Sequence, residues 1–180
     1  MAKEENKTGI LDVLNQLEYE KLNQSLLGLQ TTVTKISASL NKLIDLNIQG
    51  DDVYMDIKRS SMLKDSIMHI IQNSCDHGIE KEGVVNIEIA EKDDNLTITI
   101  SDNGKGMDSA KIKEKALEKG IINSEEFENL NEEEAISLVM RPGFSTKEIA
   151  TEYSGRGVGL DVVSTNIKDL GGTVRLESSL

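Results

Sequence analysis

The chain has 180 residues, 37% hydrophobic and 29% charged, a balance that excludes a wholly disordered protein. Its formal net charge of -12 repels phosphates and anionic lipids, which argues against nucleic-acid binding or direct membrane insertion as its task. A single cysteine, Cys75, excludes an internal disulfide framework. No apolar run approaches the ~20 residues of a bilayer span, and the polar N-terminus lacks a signal-peptide core, so the expected compartment is the cytoplasm.

Residues 1–9 are polar and are expected to form a disordered tail. From residue 10 to 47 there is no Pro and one Gly, Gly28. Leu22, Leu26, Leu29, Val33, Ile36, Leu40 and Leu43 alternate spacings of four and three. That pattern predicts one long helix with a heptad seam, reaching about 55 Å. The seam can pack on its own domain or against a second copy, and its length favours a helical dimer or bundle. A turn around Gly50 follows, then an edge strand over 51–57. Ser60 or Ser61 is expected to cap a helix that runs to His77 and stops at Gly78. Val85, Ile87 and Ile89, then Leu96, Ile98 and Ile100, alternate with polar residues and predict a β-hairpin. Residues 107–154 are mostly polar, with short helical stretches. Gly155 to Gly159 opens another helix, which ends near Gly171-Gly172. Thr173 to Glu177 reads as a short last strand. The layout is α+β, a mixed sheet with helices on one face.

Four segments carry chemistry. On the helix ending at Gly78, His69, Asn73 and His77 share one flank with Asp76 beside them, next to a stripe of Leu63, Ile67, Ile70, Ile71 and Ser74. One surface histidine there would be unremarked, whereas four polar residues able to ligate or move protons point to a site. Asp102, Gly104, Gly106 and Met107 follow directly on a strand, where glycines let a ligand approach the backbone. Alone, such a segment is equally a surface turn. Phe144, Ser145, Thr146 and Lys147 follow the only Pro of the chain. Gly155, Arg156, Gly157, Val158, Gly159 and Leu160 open a helix whose N-terminal amides suit phosphate. The pattern matches neither a P-loop nor a Rossmann fingerprint.

The order of these segments is specific. Asn-x-x-Asp-His-Gly-Ile-Glu, Asp-x-Gly-x-Gly, Pro-Gly-Phe-Ser-Thr and Gly-Arg-Gly-Val-Gly-Leu-Asp-Val-Val resemble the N box, first glycine box, phenylalanine box and second glycine box of GHKL ATP-binding domains. More narrowly, the segments around His69 and Gly155 are similar to the ATP-binding catalytic domain of chemotaxis-type histidine kinases. The resemblance covers residues 51 to 177 and implies a Bergerat-type two-layer α/β sandwich, here over 48–180, with ATP and Mg2+ as cofactors. It implies Asn73 as an oxygen ligand of the metal, with His69 near the metal and the transferring phosphoryl group. His77, and Asp76 beside it, would face the nucleotide. Asp102 would accept a hydrogen bond from the adenine amino group; guanine would oppose it with a carbonyl. Residues 107–154 would form a lid anchored by Phe144, and Gly155, Gly157 and Gly159 would lend amides to phosphate.

The sequence departs from the pattern in three places. Gln72 stands where the family carries Arg, the Glu80–Val84 stretch is short, and a Gly-rich turn and last strand do not follow Glu177-Ser178. Both histidines lie in the N box, so the phosphoacceptor is expected on another chain, or on a part of this one beyond the given sequence; a histidine phosphotransfer domain in trans is the expected partner, with other chemotaxis signalling proteins. Two competitors remain open: a serine kinase of the anti-sigma-factor type on the same fold, against which His69 in place of a Glu base argues, and a non-catalytic nucleotide-binding or scaffolding module.

Overall fold

The computed structural model describes residues 18–93, 95–144 and 159–180. The expected N-terminal tail, the start of the expected long helix, Ser145, Thr146, Lys147, Gly155, Arg156, Gly157 and Val158 lie outside the described residues.

Three strands build the sheet. β2 (Leu43–Gly50) runs parallel to β4 (Glu82–Lys92), which pairs antiparallel with β5 (Asn95–Asp102). The hairpin expectation holds, with both strands longer than the apolar alternation alone suggested. Side-chain alternation sorts the two faces. Ile44, Leu46, Val85, Ile87 and Ile89 are buried. On the opposite face, cross-strand polar side chains bond one another: Asn47 Nδ2 donates to Asn86 Oδ1 at 3.1 Å and Gln49 Nε2 to the Glu88 carboxylate Oε1 at 2.8 Å. One face is therefore dry and the other wet, the antiparallel-type arrangement in which helices cover one side only.

The covering helices are α1 (Leu22–Leu26), α2 (Gly28–Ser39), α3 (Ile57–Asn73) and, against α3, α7 (Leu160–Asp169). Leu22, Leu26, Leu29, Val33 and Ile36 join Leu63, Ile67, Ile71 and the inward strand residues in one core. Here the structure corrects the long-helix expectation. The helix breaks at Leu27 and ends at Leu40, and Asn41 at φ 54° turns the chain into β2. Asn tolerates the left-handed region better than most residues. The seam faces its own domain because its leucines are needed to cover the sheet. Over three turns, a core-facing stripe and a dimer seam have the same spacing. Leu43, the last seam residue, is 71% exposed and belongs to the strand.

The N-terminal ribbon is small. β1 (Tyr19–Lys21) pairs antiparallel with β3 (Tyr54–Asp56), shorter than the expected 51–57 strand. Asp56, rather than Ser60 or Ser61, caps α3: its Oδ1 accepts from Lys58 N at 2.9 Å and Arg59 N at 3.1 Å. Ser60 is fully buried and meets Ser25 Oγ at 3.1 Å.

Beyond β5 come α4 (Ser109–Glu118), α5 (Ser124–Asn129), α6 (Glu132–Ser137) and a 3-10 turn, Leu138–Met140. Asn123 and Asn131 form capping boxes with Glu126 and Glu134. Residues 172–180 carry no regular element, so the expected last strand at Thr173–Glu177 does not form. Its side chains turn toward other partners: Arg175 reaches Glu133 Oε1 at 3.1 Å, and Met107 N–H donates to Ser178 Oγ at 3.0 Å. No helix among the described residues is long and apolar enough to cross a membrane.

Candidate functional site

The site is assembled where α3 ends and β5 ends. α3 is α-helical through Asn73, then widens into one π turn, Ser74–Gly78, closed by Ile79 N–H donating to Ser74 O at 2.8 Å. Such single π turns occur often at functional sites. His69 and Asn73 keep their common α-helical flank. His77 does not continue that flank, because the wider turn rotates it, which corrects the expected i, i+4, i+8 stripe. His77 is exposed and Asp76 and Asn73 are half-buried.

The π turn holds Asp102. Ser74 Oγ donates to Asp102 Oδ2 at 2.6 Å, and Gly104 N–H donates to Asp102 Oδ1 at 2.9 Å. A carboxylate offers about four lone-pair positions; two are used here, and the side chain remains open to solvent. Gly78 and Gly104 allow the close approach. A Cβ at Gly78 would stand 3.1 Å from Asp102 Oδ1, and one at Gly104 would stand 2.5 Å from the Gly78 carbonyl carbon. Lys105 N–H donates to Gly78 O at 3.0 Å, tying the two segments together. Gly106 adopts φ 71°, and a Cβ there would strike the Ser179 carbonyl.

His69 is half-buried, and that burial pushes its pKa below the ordinary histidine value, with Asp65 opposing in part. At neutral pH it is an uncharged imidazole. Cys75 is fully buried; desolvation first, then the neighbouring Asp76, push its thiol up to about 11. It is a packing residue and not a nucleophile.

Phe144 sits apart from this cluster. It is buried in a second, smaller core with Ala116, Ile122 and Leu138. Lys115 and Lys119 lie over its ring at 5.2 and 5.9 Å, and Lys119 Nζ donates to Phe144 O at 2.6 Å. The helical region after β5 thus has its own apolar anchor. Gly159 is the N-cap residue of α7, and half-buried Leu160 is its first helical residue.

Two contacts that build the site are not legible in the sequence. Ser74 is expected on the core stripe of α3, and its bond to Asp102 is visible only once the π turn is. Lys42 had no sequence signal at all: its Nζ donates to Cys75 O at 2.6 Å, Ile79 O at 2.7 Å and Asp76 O at 3.3 Å.

The result is an exposed carboxylate fixed at a strand end, with Gly78 and Gly104 packed closely beside it. No cluster of three or more His, Cys, Asp or Glu able to hold a metal exists among the described residues. A single amide such as Asn73 suits Mg2+, which keeps most of its ligands as water and substrate phosphates.

The profile of the histidine kinase-, DNA gyrase B- and HSP90-like ATPases matches residues 62–180. The sensor histidine kinase CheAY of Helicobacter pylori is 40% identical over 159 residues, covering 82% of this chain and 20% of the relative. The chemotaxis protein CheA of Halobacterium salinarum is 35% identical over 158 residues, covering 82% of this chain and 24% of the relative. The chain thus spans only a fifth to a quarter of the length of these relatives. Among solved structures, the catalytic domain of histidine kinase ThkA superposes with a TM-score of 0.52 at 14% identity, over 84% of this chain and 79% of that one. That likeness supports the α+β fold alone. The profile covers well over half of the residues, and the chain belongs to the family of histidine kinase-, DNA gyrase B- and HSP90-like ATPases.

Proposed function

We propose that this chain is the ATP-binding catalytic part of a chemotaxis-type histidine kinase, which places the γ-phosphoryl of Mg2+-ATP before a histidine supplied in trans. Asp102, clamped between Ser74 Oγ and Gly104 N–H, is the observation that carries the reading. A carboxylate held from two sides is preorganised to accept the adenine amino group and to reject guanine. Asn73 supplies the amide oxygen toward the metal, and the bound Mg2+ neutralises phosphate charge. His69 stays uncharged at neutral pH and sits one helical turn before Asn73, where it can hydrogen-bond the transferring phosphoryl group. Asp76 and His77 line the nucleotide side of the π turn. The family resemblance gives residues 107–154 the role of a lid with Phe144 as its anchor, and gives Ser145, Thr146, Lys147 and the glycine-rich segment from Gly155 to Gly159 the role of contacting the nucleotide. In this reading the acceptor is a histidine phosphotransfer domain and the setting is cytoplasmic; the relatives named for chemotaxis and sensor histidine kinases support the signalling context.

The test combines this chain, radiolabelled ATP, Mg2+ and a histidine phosphotransfer domain from a chemotaxis kinase. Acid-labile label on the acceptor, absent without Mg2+, is the expected result. Label on this chain at His69 or His77 would overturn the trans-acceptor reading. Tight ATP binding with an acceptor that is never labelled would replace it with a nucleotide-binding module.

A further inference from the structure

Lys42 lies outside the nucleotide motifs, between α2 and β2. Its backbone is fixed by Ser37: Lys42 N–H donates to Ser37 O at 2.9 Å, and Ser37 Oγ donates to Lys42 O at 2.6 Å. Ser37 Oγ also accepts from Ile44 N at 3.1 Å, so one buried hydroxyl fixes both the loop and the start of β2. From this mount the Lys42 side chain reaches the end of α3. An ammonium has three N–H donors, and three carbonyls receive them: Cys75 and Asp76 within the π turn and Ile79 just past it.

Lysines near helix C-termini commonly bond the last carbonyls of their own helix. This one arrives from another element and bridges the π turn from its middle to its exit. The carbonyls it holds alternate with the groups that make the site. Ser74 holds Asp102 Oδ2, Gly78 O accepts from Lys105 N, and Ile79 N closes the turn on Ser74 O. Without the ammonium, three carbonyls near the end of α3 lose their shared cation. The turn is then free to relax toward ordinary α-helical geometry, which moves Ser74 away from Asp102.

We propose that Lys42 is a positioning residue for base recognition: by holding the π turn it sets the orientation of the Asp102 carboxylate and so the preference for adenine over guanine. This rests on the nucleotide-binding reading above. In this role Lys42 acts only through the turn whose carbonyls it holds.

The experiment measures ATP and GTP affinities by isothermal titration, and amide exchange at Ile79 and Lys105, in the parent chain, Lys42→Met, Lys42→Arg and Val33→Ala. Val33 is in the core of α2, and its truncation loosens the fold without touching the turn. Lys42→Met is expected to weaken ATP binding by about tenfold or more, to weaken GTP binding far less, and to speed exchange at Ile79 and Lys105. Lys42→Arg is expected to restore part of the ATP-to-GTP ratio, because its planar fork reproduces only some of three convergent bonds. Val33→Ala is expected to leave the ratio at the parent value. An unchanged ratio in a folded Lys42→Met, or equal loss for both nucleotides, overturns the proposal and leaves Lys42 a stabilising cap. If Lys42→Met does not fold, Lys42→Gln, which keeps an NH2 donor, carries the same comparison with the same deciding outcome. If the parent binds neither nucleotide, the nucleotide-binding reading fails, and the exchange rates still decide whether Lys42 holds the turn.

Discussion

Ser74 Oγ donates to Asp102 Oδ2 at 2.6 Å across 28 residues of chain, joining the last turn of the site helix to the end of β5. The bond orients a carboxylate that the sequence marks as a candidate but cannot aim. Asp102→Asn replaces an acceptor with a mixed donor and acceptor. It is expected to weaken ATP binding by about ten- to a hundredfold, matching the ~1.5–3 kcal/mol of a hydrogen bond to a charged group, and to narrow discrimination against GTP. Ser74→Ala is expected to lower ATP affinity less and in the same direction. Equal affinities of parent and Asp102→Asn by titration would show that Asp102 does not read the base.

The apolar seam of the N-terminal helices makes a second case. Leu29 is 6% exposed and packs in the core shared by α2, α3 and the sheet. Leu29→Glu buries an uncompensated charge and is expected to cost about 3–5 kcal/mol of stability. Denaturant titration should show that loss, and sedimentation should show no change from one oligomeric state to another. A folded variant of parent stability with a smaller mass would restore the dimer-seam interpretation.

Gly104 is constrained by neighbouring backbone. A Cβ there would lie 2.5 Å from the Gly78 carbonyl carbon and 2.7 Å from Asp102 Oδ1. Backbone cannot step aside as a flexible side chain can. Gly104→Ala should therefore push the two segments apart, break the Lys105 to Gly78 bond and weaken ATP binding more than it lowers thermal stability. The check is ATP titration alongside a melting curve; unchanged affinity would remove Gly104 from the site.

Cys75 gives the pH prediction. The folded thiol stays protonated up to about 11, chiefly because it is buried, whereas an unfolded cysteine ionises near ~8.5. Between those values the unfolded chain binds fewer protons than the native one, so stability falls as pH rises through that window. Below it, Cys75 contributes no pH dependence. Native protein at pH 8 should resist a thiol-specific disulfide reagent, with modification following global unfolding. Rapid stoichiometric labelling without unfolding would contradict the buried position.

The hairpin, the site helix and the order of the boxes were legible because each rests on local signals: period-two alternation in Val85–Ile89 and Leu96–Ile100, apolar spacing from Leu63 to Ile71, and glycines at fixed offsets. β2 was not read, although Ile44, Leu46 and Ile48 alternate with Asp45, Asn47 and Gln49. The heptad pattern running into Leu43 masked it, because a helical stripe and a strand share their first apolar residues. The cap of α3 was assigned four or five residues late, since serines at 60 and 61 are good caps in isolation and Asp56 is a better one in place. The sequence marks Asp102 as a candidate and puts Ser74 on the core stripe, but it signals neither the bond between them nor Lys42, because a π turn and a lysine from another element are tertiary facts.

The parallel pairing of β2 with β4 has a kinetic consequence. Leu43 pairs with Glu82 and Gly50 with Ile89, each 39 residues apart, and the chain between them contains all of α3. Parallel neighbours require such a crossover and cannot zip from a tight turn. The loop must close before its contacts stabilise anything, which slows condensation. Because the crossover is the site helix itself, the turn that carries Ser74 and Asp76 gains its geometry in the same step that closes the sheet. A nascent chain that has emerged only through residue 80 has the binding helix in sequence and no site in space.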